Sequence, residues 1–282
     1  MVSGLSPAAV QEVRDLLELC NRHESLELPI SSHDLRVETR VTIGVLYAEH
    51  GALIGFASVP NDSVPEACLM VHPDHRRRGI GRRLIDEIRA ECGRRGLTGC
   101  LLVADQGAQS AAAFLTALGI PYRSSEFLLE LDRSAAPDSR SRRGELTMRL
   151  ATAADRDALI RILAAAFAES DATAARTVDA GLRETKRHYY LAEIDGEPIG
   201  TLRAGEWDGF GDITAFGVLP AQQSKGYGRH MLSDAVELLT EAGLERIRLE
   251  VATENRGALG LYESCGFRVE RAYGYYELLA IR

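Results

Sequence analysis

The sequence contains an internal repeat, in which residues 71–120 match residues 218–267 at a constant shift of 147 positions. Each copy begins with a valine, Val71 or Val218, that is followed two positions later by a proline. Glycines then agree in register, with positions 79, 81, 96 and 119 matching 226, 228, 243 and 266. Glycine and proline constrain the backbone more than other residues do. Their agreement therefore predicts two copies of one backbone fold within the chain.

The segment between the two copies has the composition of a linker. Residues 133–144 are polar, include Pro137 and several serines, and show no apolar periodicity. We therefore predict a first domain over residues 1–132, a linker over 133–144 and a second domain over 145–282.

The coarse pattern in each half is one of strands alternating with helices, which predicts an α/β (α+β) fold. Hairpin turns are predicted at His50-Gly51 and Asp195-Gly196, where a residue that tolerates a left-handed backbone precedes a glycine. Thr152 and Asp155 predict a capping box that opens a helix. Only five residues precede a first helix beginning at Ser6-Pro7, so no first strand is expected in the first half.

Composition narrows the classes of function. The formal net charge is −8 with a pI near 5.5, which argues against a general nucleic-acid binder. Five scattered cysteines without a C-x-x-C pair indicate neither a zinc site nor a disulfide framework. No apolar run has the roughly 18 residues of a spanning helix. We expect a cytoplasmic protein without metal or membrane partners, as a monomer (a pseudo-dimer of its domains) or a homodimer.

Each repeat carries a glycine loop between a predicted strand and a predicted helix. Unpaired N–H groups at the start of a helix, together with the helix dipole, bind anions such as phosphate. A single loop of this kind could be an ordinary turn, but its recurrence in the same context favours phosphate binding. The candidate ligands are Gln223, Ser224, Lys225, Gly226, Tyr227, Gly228 and Arg229, and in the first copy Arg76, Arg77, Arg78, Gly79, Ile80, Gly81 and Arg82.

These residues resemble a known family. The pattern V-x-P-x-x-[QR]-x-x-G-x-G-[RK] resembles the acetyl-CoA loop of the GCN5-related N-acetyltransferase (GNAT) superfamily, and Asn255, Tyr262 and Gly266-Phe267 match its second motif. The resemblance implies two tandem GNAT domains, each with a mixed, mostly antiparallel sheet flanked by helices, and acetyl-CoA as cofactor. The two-domain arrangement resembles mycothiol synthase. Residues 249–267 are similar to ribosomal-protein N-terminal alanine acetyltransferases.

The resemblance also implies roles for individual residues. Tyr262 matches the general acid that protonates the leaving thiolate. Glu250, twelve residues earlier, matches the base of the ribosomal-protein enzymes, whereas Asp212 matches the base position of mycothiol synthase. A water relay is a third possibility for the base. Each of these side chains also has an ordinary structural interpretation, as a packed aromatic residue or a solvated strand carboxylate.

The remaining cofactor contacts follow from the same resemblance. The loop strand of the family bulges and presents a backbone N–H to the oxyanion; Gly217 suits such a bulge, and Val218 is the expected donor. Asn255 matches the residue that binds the cofactor arm, although it would equally suit a helix N-cap. Phe216 and Val71 complete the predicted set of cofactor contacts.

The two copies differ at the positions that matter for chemistry. At a shift of 147, Glu250, Asn255, Tyr262 and Phe267 correspond to Val103, Ala108, Leu115 and Ile120. The first domain should therefore be catalytically degenerate, being either structural or an acyl-CoA holder, and the second should be catalytic.

We expect acetyl transfer to a primary amine of a small molecule or a peptide N-terminus. Two alternatives stay open, a non-catalytic acyl-CoA sensor or scaffold and acetylation of a thiol-sugar precursor. Acidic residues at Glu206, Asp208 and Asp212 would suit a cationic acceptor.

Overall fold

The computed structural model describes residues 2–3, 5–30, 35, 42–61, 65–134 and 146–280. The chain divides into two compact units, the first comprising residues 1–126 with 271–282 and the second residues 127–270. Of the predicted linker, residues 135–144 lie outside the described residues.

The elements of the first half are the strands β1 to β6 and the helices α1 to α3. They are β1 Val2–Ser3, α1 Pro7–Glu24, β2 Thr42–Glu49, β3 Ala52–Pro60, β4 Glu66–Val71, α2 Ile80–Arg94, β5 Gly99–Asp105, α3 Gln109–Ala117 and β6 Tyr122–Leu131. In the first unit β1 to β4 follow one another antiparallel, and β4 pairs with β5 in parallel. The two-residue strand β1 corrects the expectation that this half lacks a first strand, because Val2 and Ser3 pair with Gly44 and Ile43.

The elements of the second half repeat this plan. They are β7 Leu146–Leu150, α4 Arg156–Phe167, α5 Asp171–Leu182, β8 Arg187–Ile194, β9 Glu197–Trp207, β10 Phe210–Val218, α6 Tyr227–Glu241, β11 Ile247–Ala252, α7 Arg256–Ser264 and β12 Phe267–Leu279. In the second unit β7 to β10 follow one another antiparallel, and β10 pairs with β11 in parallel. The mixed, mostly antiparallel sheets predicted for both halves are present.

The last strand differs from the sequence-based boundary. Residues 273–279 of β12 pair antiparallel with Gly99–Asp105 of β5, and the first unit therefore contains residues 271–282. The prediction placed the whole of 145–282 in the second domain, because an internal repeat shows which residues correspond but not which copy a terminal strand pairs with. Likewise, the second unit begins at residue 127, inside β6.

Each sheet has a hydrophobic cluster on both faces. Side chains alternate between the two faces of a strand, so Phe56 packs in the cluster that includes α1 residues whereas Ala57 packs with α2. In the second unit Leu191 packs with α4 and α5, and Ala192 packs in the cluster that includes residues of α6 and α7. Helices therefore cover both faces of each sheet. The glycine loops lie at the N-terminal ends of α2 and α6.

Local signals in the sequence are largely confirmed. His50-Gly51 and Asp195-Gly196 turn their hairpins with positive φ at both residues. Asp208-Gly209 forms a third such turn, between β9 and β10, that the sequence analysis did not single out. The capping box of Thr152 and Asp155 is present, although it opens a short 3₁₀ turn before α4 begins.

The described residues show neither a membrane-spanning helix nor a cluster of metal-ligating side chains. None of the helices there combines the length and apolar character needed to cross a membrane. Within the same described ranges, no group of three or more His, Cys, Asp or Glu side chains is placed to hold a metal ion.

Candidate active site

The two glycine loops have the same backbone conformation. Each begins with a short 3₁₀ turn, over Pro73–His75 or Pro220–Gln222. Arg77 and Ser224 then adopt φ of 63° and 62°, and Gly79 and Gly226, the N-caps of α2 and α6, adopt 82° and 89°. A backbone with φ of 82–89° is less strained for glycine than for a residue with a Cβ, so glycine is favoured at the helix N-cap that ends each loop.

A side chain in each loop holds the strand end in place. Gln223 donates from Nε2 to the carbonyl oxygen of Val218 at 2.9 Å, and Arg76 donates from Nε to the carbonyl oxygen of Val71 at 3.2 Å. These residues correspond at the shift of 147, so the bond is conserved between the copies although the residue type differs. Both were predicted as cofactor contacts, and the structure shows that each also shapes its own loop.

The second glycine of each loop serves helix packing. A Cβ added at Gly228 would lie 3.1 Å from Cδ2 of Leu261, and one added at Gly81 would lie 3.0 Å from Cζ of Phe114. The helix that follows each loop therefore packs closely on α7 or α3. From the sequence, these glycines were expected to let a phosphate approach the backbone. In the structure, the close contact at each glycine is with an apolar side chain.

The basic residues of the second loop form hydrogen bonds within the protein. Lys225 donates to Gln222, and the guanidinium of Arg229 donates to the carbonyl and hydroxyl oxygens of Ser264 at 3.0 and 2.7 Å. Tyr227 packs against the core at the start of α6, as the buried Ile80 does in α2. Ser224 and Gly226 are exposed, and anion binding by the backbone of this loop stays a prediction.

The arginines of the first loop divide into paired and unpaired members. Arg76 forms an ion pair with Glu24 at 2.6 Å, and Arg78 forms one with Glu49 at 2.8 Å. Burial raises the pKa of Glu24, but hydrogen bonds from Arg76 and Ser110 outweigh it and lower that pKa overall. Among the described residues, Arg77 and Arg82 have no such partner.

The parallel strands next to each loop separate after a short stretch of pairing. β10 and β11 pair through Ile213 and Leu249 and no further, and β4 and β5 pair at only two positions. Leu219 donates its N–H to Ile199 on β9. Because successive N–H groups of a strand point in opposite directions, the N–H of Val218 points away from β9, toward the gap beside β11. This is the orientation expected of the predicted oxyanion donor.

A β-bulge distinguishes the second unit from the first. The register between β9 and β10 shifts between Thr214 and Gly217, with Ala215 at a φ of 48°. The pairing of β3 with β4 runs without such a shift. Gly217 is required beside the bulge, because a Cβ there would lie 2.7 Å from Cβ of Ala166 in α4. The bulge predicted around Gly217 is therefore present.

Tyr262 lies on α7 with its ring between two other aromatic rings. The ring centroids of Phe216 and Phe267 are 6.0 and 6.4 Å away, and Tyr262 is only 6% exposed. No described residue hydrogen-bonds its hydroxyl, and no fully buried polar side-chain atom in the described chain lacks a partner, so the hydroxyl reaches solvent. Burial raises the pKa of Tyr262 above its usual range. The phenol therefore stays protonated, as a proton donor must.

Asn255 is the N-cap of α7. Its Oδ1 accepts from the N–H of Ala258 at 3.1 Å, which is the structural role that the sequence analysis left open. In the first unit Ala108 stands at the start of α3 and makes no side-chain cap. The side-chain amide group of Asn255 lies on an exposed residue and is available to a cofactor arm.

The two candidate bases have different surroundings. Glu250 is exposed on β11, one residue beyond Leu249, where the strand leaves β10. Asp212 is largely buried and its carboxylate accepts from Arg187 at 2.7 Å. Burial raises the pKa of Asp212, and the neighbouring Arg187 guanidinium opposes that rise.

A network of ion pairs surrounds Asp212. Arg187 also bonds Glu184, and its guanidinium stacks 4.1 Å from the ring centre of Trp207. Arg203 bonds Glu184 and the hydroxyl of Thr214. The sequence analysis did not single out these arginines; the available signal was the presence of charged residues within otherwise apolar strands.

Two of the three acidic residues that were expected to suit a cationic acceptor, Glu206, Asp208 and Asp212, form ion pairs within the protein. Glu206 pairs with Lys186, and Asp212 pairs with Arg187. The expected preference for a cationic acceptor stays a prediction.

The first unit contains a cavity of about 380 Å³ beside its loop. Loop residues Gly79 and Arg82 line it, together with Leu69 of β4, Val103 of β5 and Leu115 of α3. The cavity therefore lies where β4 and β5 separate, at the place equivalent to the gap in the second unit.

Comparison with known proteins identifies the family. The sequence model described as the acetyltransferase (GNAT) family matches residues 156–267, and a second model, described as an acetyltransferase (GNAT) domain, matches residues 41–119. A mycothiol acetyltransferase of Thermomonospora curvata is 30% identical over 283 residues, covering 94% of this chain and 92% of that protein. The chain belongs to the GNAT acetyltransferase family.

Solved GNAT structures share the fold along nearly the whole chain. A GCN5-related N-acetyltransferase from Sphaerobacter thermophilus aligns with a TM-score of 0.77 at 20% identity, covering 99% of this chain and 96% of that one. A tandem GNAT protein from the clavulanic acid biosynthesis pathway, in a structure without acetyl-CoA, aligns with a TM-score of 0.72 at 16% identity. It covers all of this chain and 98% of its own.

The predicted class of enzyme is confirmed. The chain is a tandem GNAT enzyme, an N-acetyltransferase that uses acetyl-CoA. The residues present fit that cofactor, since each unit has a glycine loop with a left-handed N-cap and a gap between parallel strands. The similarity of residues 249–267 to ribosomal-protein N-terminal alanine acetyltransferases stays a prediction.

Proposed function

We propose that the second unit of this GNAT enzyme transfers an acetyl group from acetyl-CoA to a primary amine of a small molecule, and that the first unit binds CoA without turnover. The asymmetry at Tyr262 carries this proposal. The second unit combines a buried tyrosine with a bulged strand. The first has Leu115 at the equivalent position and an unbulged β4.

The roles of the residues follow from the proton balance of the reaction. When bound, acetyl-CoA supplies the thioester that the amine nitrogen attacks, with formation of a C–N bond and cleavage of the C–S bond. The nitrogen must lose a proton, and the exposed carboxylate of Glu250 beside the gap can accept it. Tyr262 donates its phenolic proton to the departing sulfur, and the N–H of Val218 stabilises negative charge on the carbonyl oxygen.

Asp212 is the second candidate for the base. Its carboxylate is held in place by Arg187, and burial raises its pKa toward the neutral range in which a base works. The ion pair opposes that change, because it favours the charged carboxylate. We therefore assign proton acceptance to Glu250 and a positioning role on the acceptor side to Asp212.

The acceptor class is supported by the relatives. Proteins named mycothiol acetyltransferase match this chain over 94% of its length. Their name favours an amine on a thiol-sugar precursor of that kind over a peptide N-terminus. The paired charges around Arg187 and Arg203 suit a polar, hydroxyl-rich acceptor better than a simple cation.

Release of CoA from acetyl-CoA, measured with a panel of acceptors, tests the proposal. The panel contains an amino-sugar conjugate bearing a cysteinyl amine, a peptide with an N-terminal alanine, and a simple alkylamine. Turnover with the conjugate supports the proposal, turnover with the peptide alone reassigns the acceptor, and binding without any turnover supports the sensor alternative.

Two variants in the same assay separate the bases. Glu250→Gln should lower kcat by about 10²- to 10⁴-fold, the usual range for losing a general base. Asp212→Asn should raise KM for the acceptor more than it lowers kcat. The reverse pattern would transfer the base role to Asp212.

A further inference from the structure

The cavity of the first unit is lined by smaller side chains than the corresponding gap of the second unit. In the second unit the rings of Phe216 and Tyr262 face each other with centroids 6.0 Å apart. At a shift of 147 these positions are Leu69 and Leu115, and both leucines line the 380 Å³ cavity. The smaller side chains leave space where the second unit has an aromatic pair. The volume is within the range of about 300 to 1,000 Å³ that is typical of ligand pockets.

The wall of this cavity is apolar at the position of the proposed base. Glu250 corresponds to Val103, whose side chain cannot accept a proton. Val103 lines the cavity with Leu26 and Leu28, which come from the segment after α1. Val103 and Leu26 are 8% exposed, so this part of the wall is buried apolar surface.

The carboxylates in the wall already have partners within the protein. Glu24 is paired with Arg76 and also accepts from Ser110. The buried Asp105 accepts from the backbone N–H groups of Glu27 and Gly107. A ligand amine entering the cavity would therefore lose its hydration without gaining a free carboxylate, which is unfavourable.

The same cavity is continuous with an anion site. Arg77, Gly79 and Arg82 line it, and Arg77 and Arg82 have no partner among the described residues. The loop thus offers positive charge and helix N–H groups to a diphosphate, while the rest of the wall offers apolar surface. One molecule that satisfies both is a CoA thioester with an apolar acyl chain.

We infer that the first unit is a binding site for acyl-CoA with an acyl chain longer than acetyl. The chain lies against Leu69, Leu115 and Val103, in the space that the acceptor and the aromatic pair take in the second unit. The site binds without transferring the acyl group, because its walls supply neither acid nor base. This inference rests on the proposed binding of CoA by the first unit.

Calorimetric titration of the full chain tests the inference, with CoA, acetyl-CoA, butyryl-CoA and hexanoyl-CoA as probes. Each methylene buried in an apolar site strengthens binding about fourfold. We expect one of two sites to bind hexanoyl-CoA at least about tenfold more tightly than acetyl-CoA. Equal or weaker binding of hexanoyl-CoA at both sites would overturn the inference.

Variants of the lining residues test whether the cavity causes the preference for a longer acyl chain. Leu69→Phe with Leu115→Tyr installs the aromatic pair of the second unit and should reduce the chain-length preference to below about threefold, with CoA still bound. Leu150→Phe, a substitution at an exposed leucine of the second unit, is the matched control and should leave the preference unchanged. If the double variant fails to fold, as judged by its melting curve, Leu69→Phe alone provides the same comparison. A preference that survives in the folded variant would refute the assignment.

A separate variant distinguishes failure of the inference from failure of the proposed function. Arg82→Glu should weaken all four probes at one site, CoA included. If the titrations show a single CoA site that Arg82→Glu does not affect, the proposed CoA binding by the first unit is wrong, and the chain-length inference falls with it. If Arg82→Glu acts on CoA but no chain-length preference exists, only the inference is wrong.

Discussion

The ring of Tyr262 lies 6.0 Å from the ring of Phe216, across the gap in which β10 and β11 separate. Phe216 belongs to the bulged part of β10, and Tyr262 belongs to α7, near its C-terminal end. The contact therefore joins the two elements to which the proposed mechanism assigns roles, the strand with the N–H of Val218 and the helix with the phenol.

Replacing Tyr262 with Phe should abolish most turnover without unfolding the second unit. The phenol hydroxyl has no hydrogen-bond partner among the described residues, so its removal leaves no unpaired group behind. We expect kcat to fall by about 10²-fold or more, with the Kd for acetyl-CoA unchanged. Steady-state kinetics and calorimetry measure the two quantities. Tyr122→Phe, at an exposed tyrosine, is the control, and unchanged kcat in Tyr262→Phe would contradict the acid role.

The two loop glycines provide a matched pair of variants. Gly226→Ala and Gly79→Ala each place a Cβ on a backbone with φ near 85°, which costs on the order of 1 kcal/mol. Both should lower Tm by about 2–4 °C. Only Gly226→Ala should raise KM for acetyl-CoA, because the proposed function assigns turnover to the second loop alone. Loss of turnover in Gly79→Ala would show that the first loop takes part in catalysis.

Removing the partner of Asp212 should make stability depend on pH. Burial raises the pKa of Asp212, so its contribution to stability is fully present below the unfolded value of about 3.9 and is lost as pH rises through the folded value. In Arg187→Met the hydrogen-bonded cation is gone and only the more distant Arg203 still favours the carboxylate, so the free energy of unfolding at pH 8 should fall by about 3–5 kcal/mol. Urea unfolding at pH 5 and pH 8 measures this loss of unfolding free energy.

The double variant is the control for that prediction. Arg187→Met with Asp212→Asn carries no buried charge at position 212, so its pH dependence should return toward that of the original chain. A pH dependence that persists in the double variant would have to be assigned to Glu184, the other acidic partner of Arg187.

The pairing of β12 with β5 predicts where a strand-disrupting variant acts. A Cβ added at Gly99 would lie 2.3 Å from the carbonyl oxygen of Leu278, so Gly99→Ala must break the end of this pairing. Hydrogen exchange should show loss of protection in residues 99–105. Residues 247–252 of the second unit should keep theirs. Loss of protection in the second segment alone would contradict the assignment of residues 271–282 to the first unit.

Much of the site was readable from the sequence because its requirements are local. A left-handed backbone at the helix N-cap favours glycine, so Gly79 and Gly226 indicated both loops in the sequence. The bulge around Gly217 and the cap at Asn255 are likewise set by neighbouring residues. Alignment of the two copies then showed that the first copy has apolar residues at the positions of the proposed acid and base.

Other features depend on residues that are distant in the chain, and only the folded structure decided them. Arg76 and Arg78 look free in the sequence, yet Glu24 and Glu49 neutralise them. Residues 273–279 read as a strand of the second copy, yet their backbone pairs with β5. Hydrogen bonds between strands and ion pairs between side chains form wherever the chain brings partners together, and composition and spacing do not record that choice. The sequence therefore determined the repeated backbone and its loops, whereas tertiary packing determined which charges stay free, which unit holds the last strand and where a cavity remains.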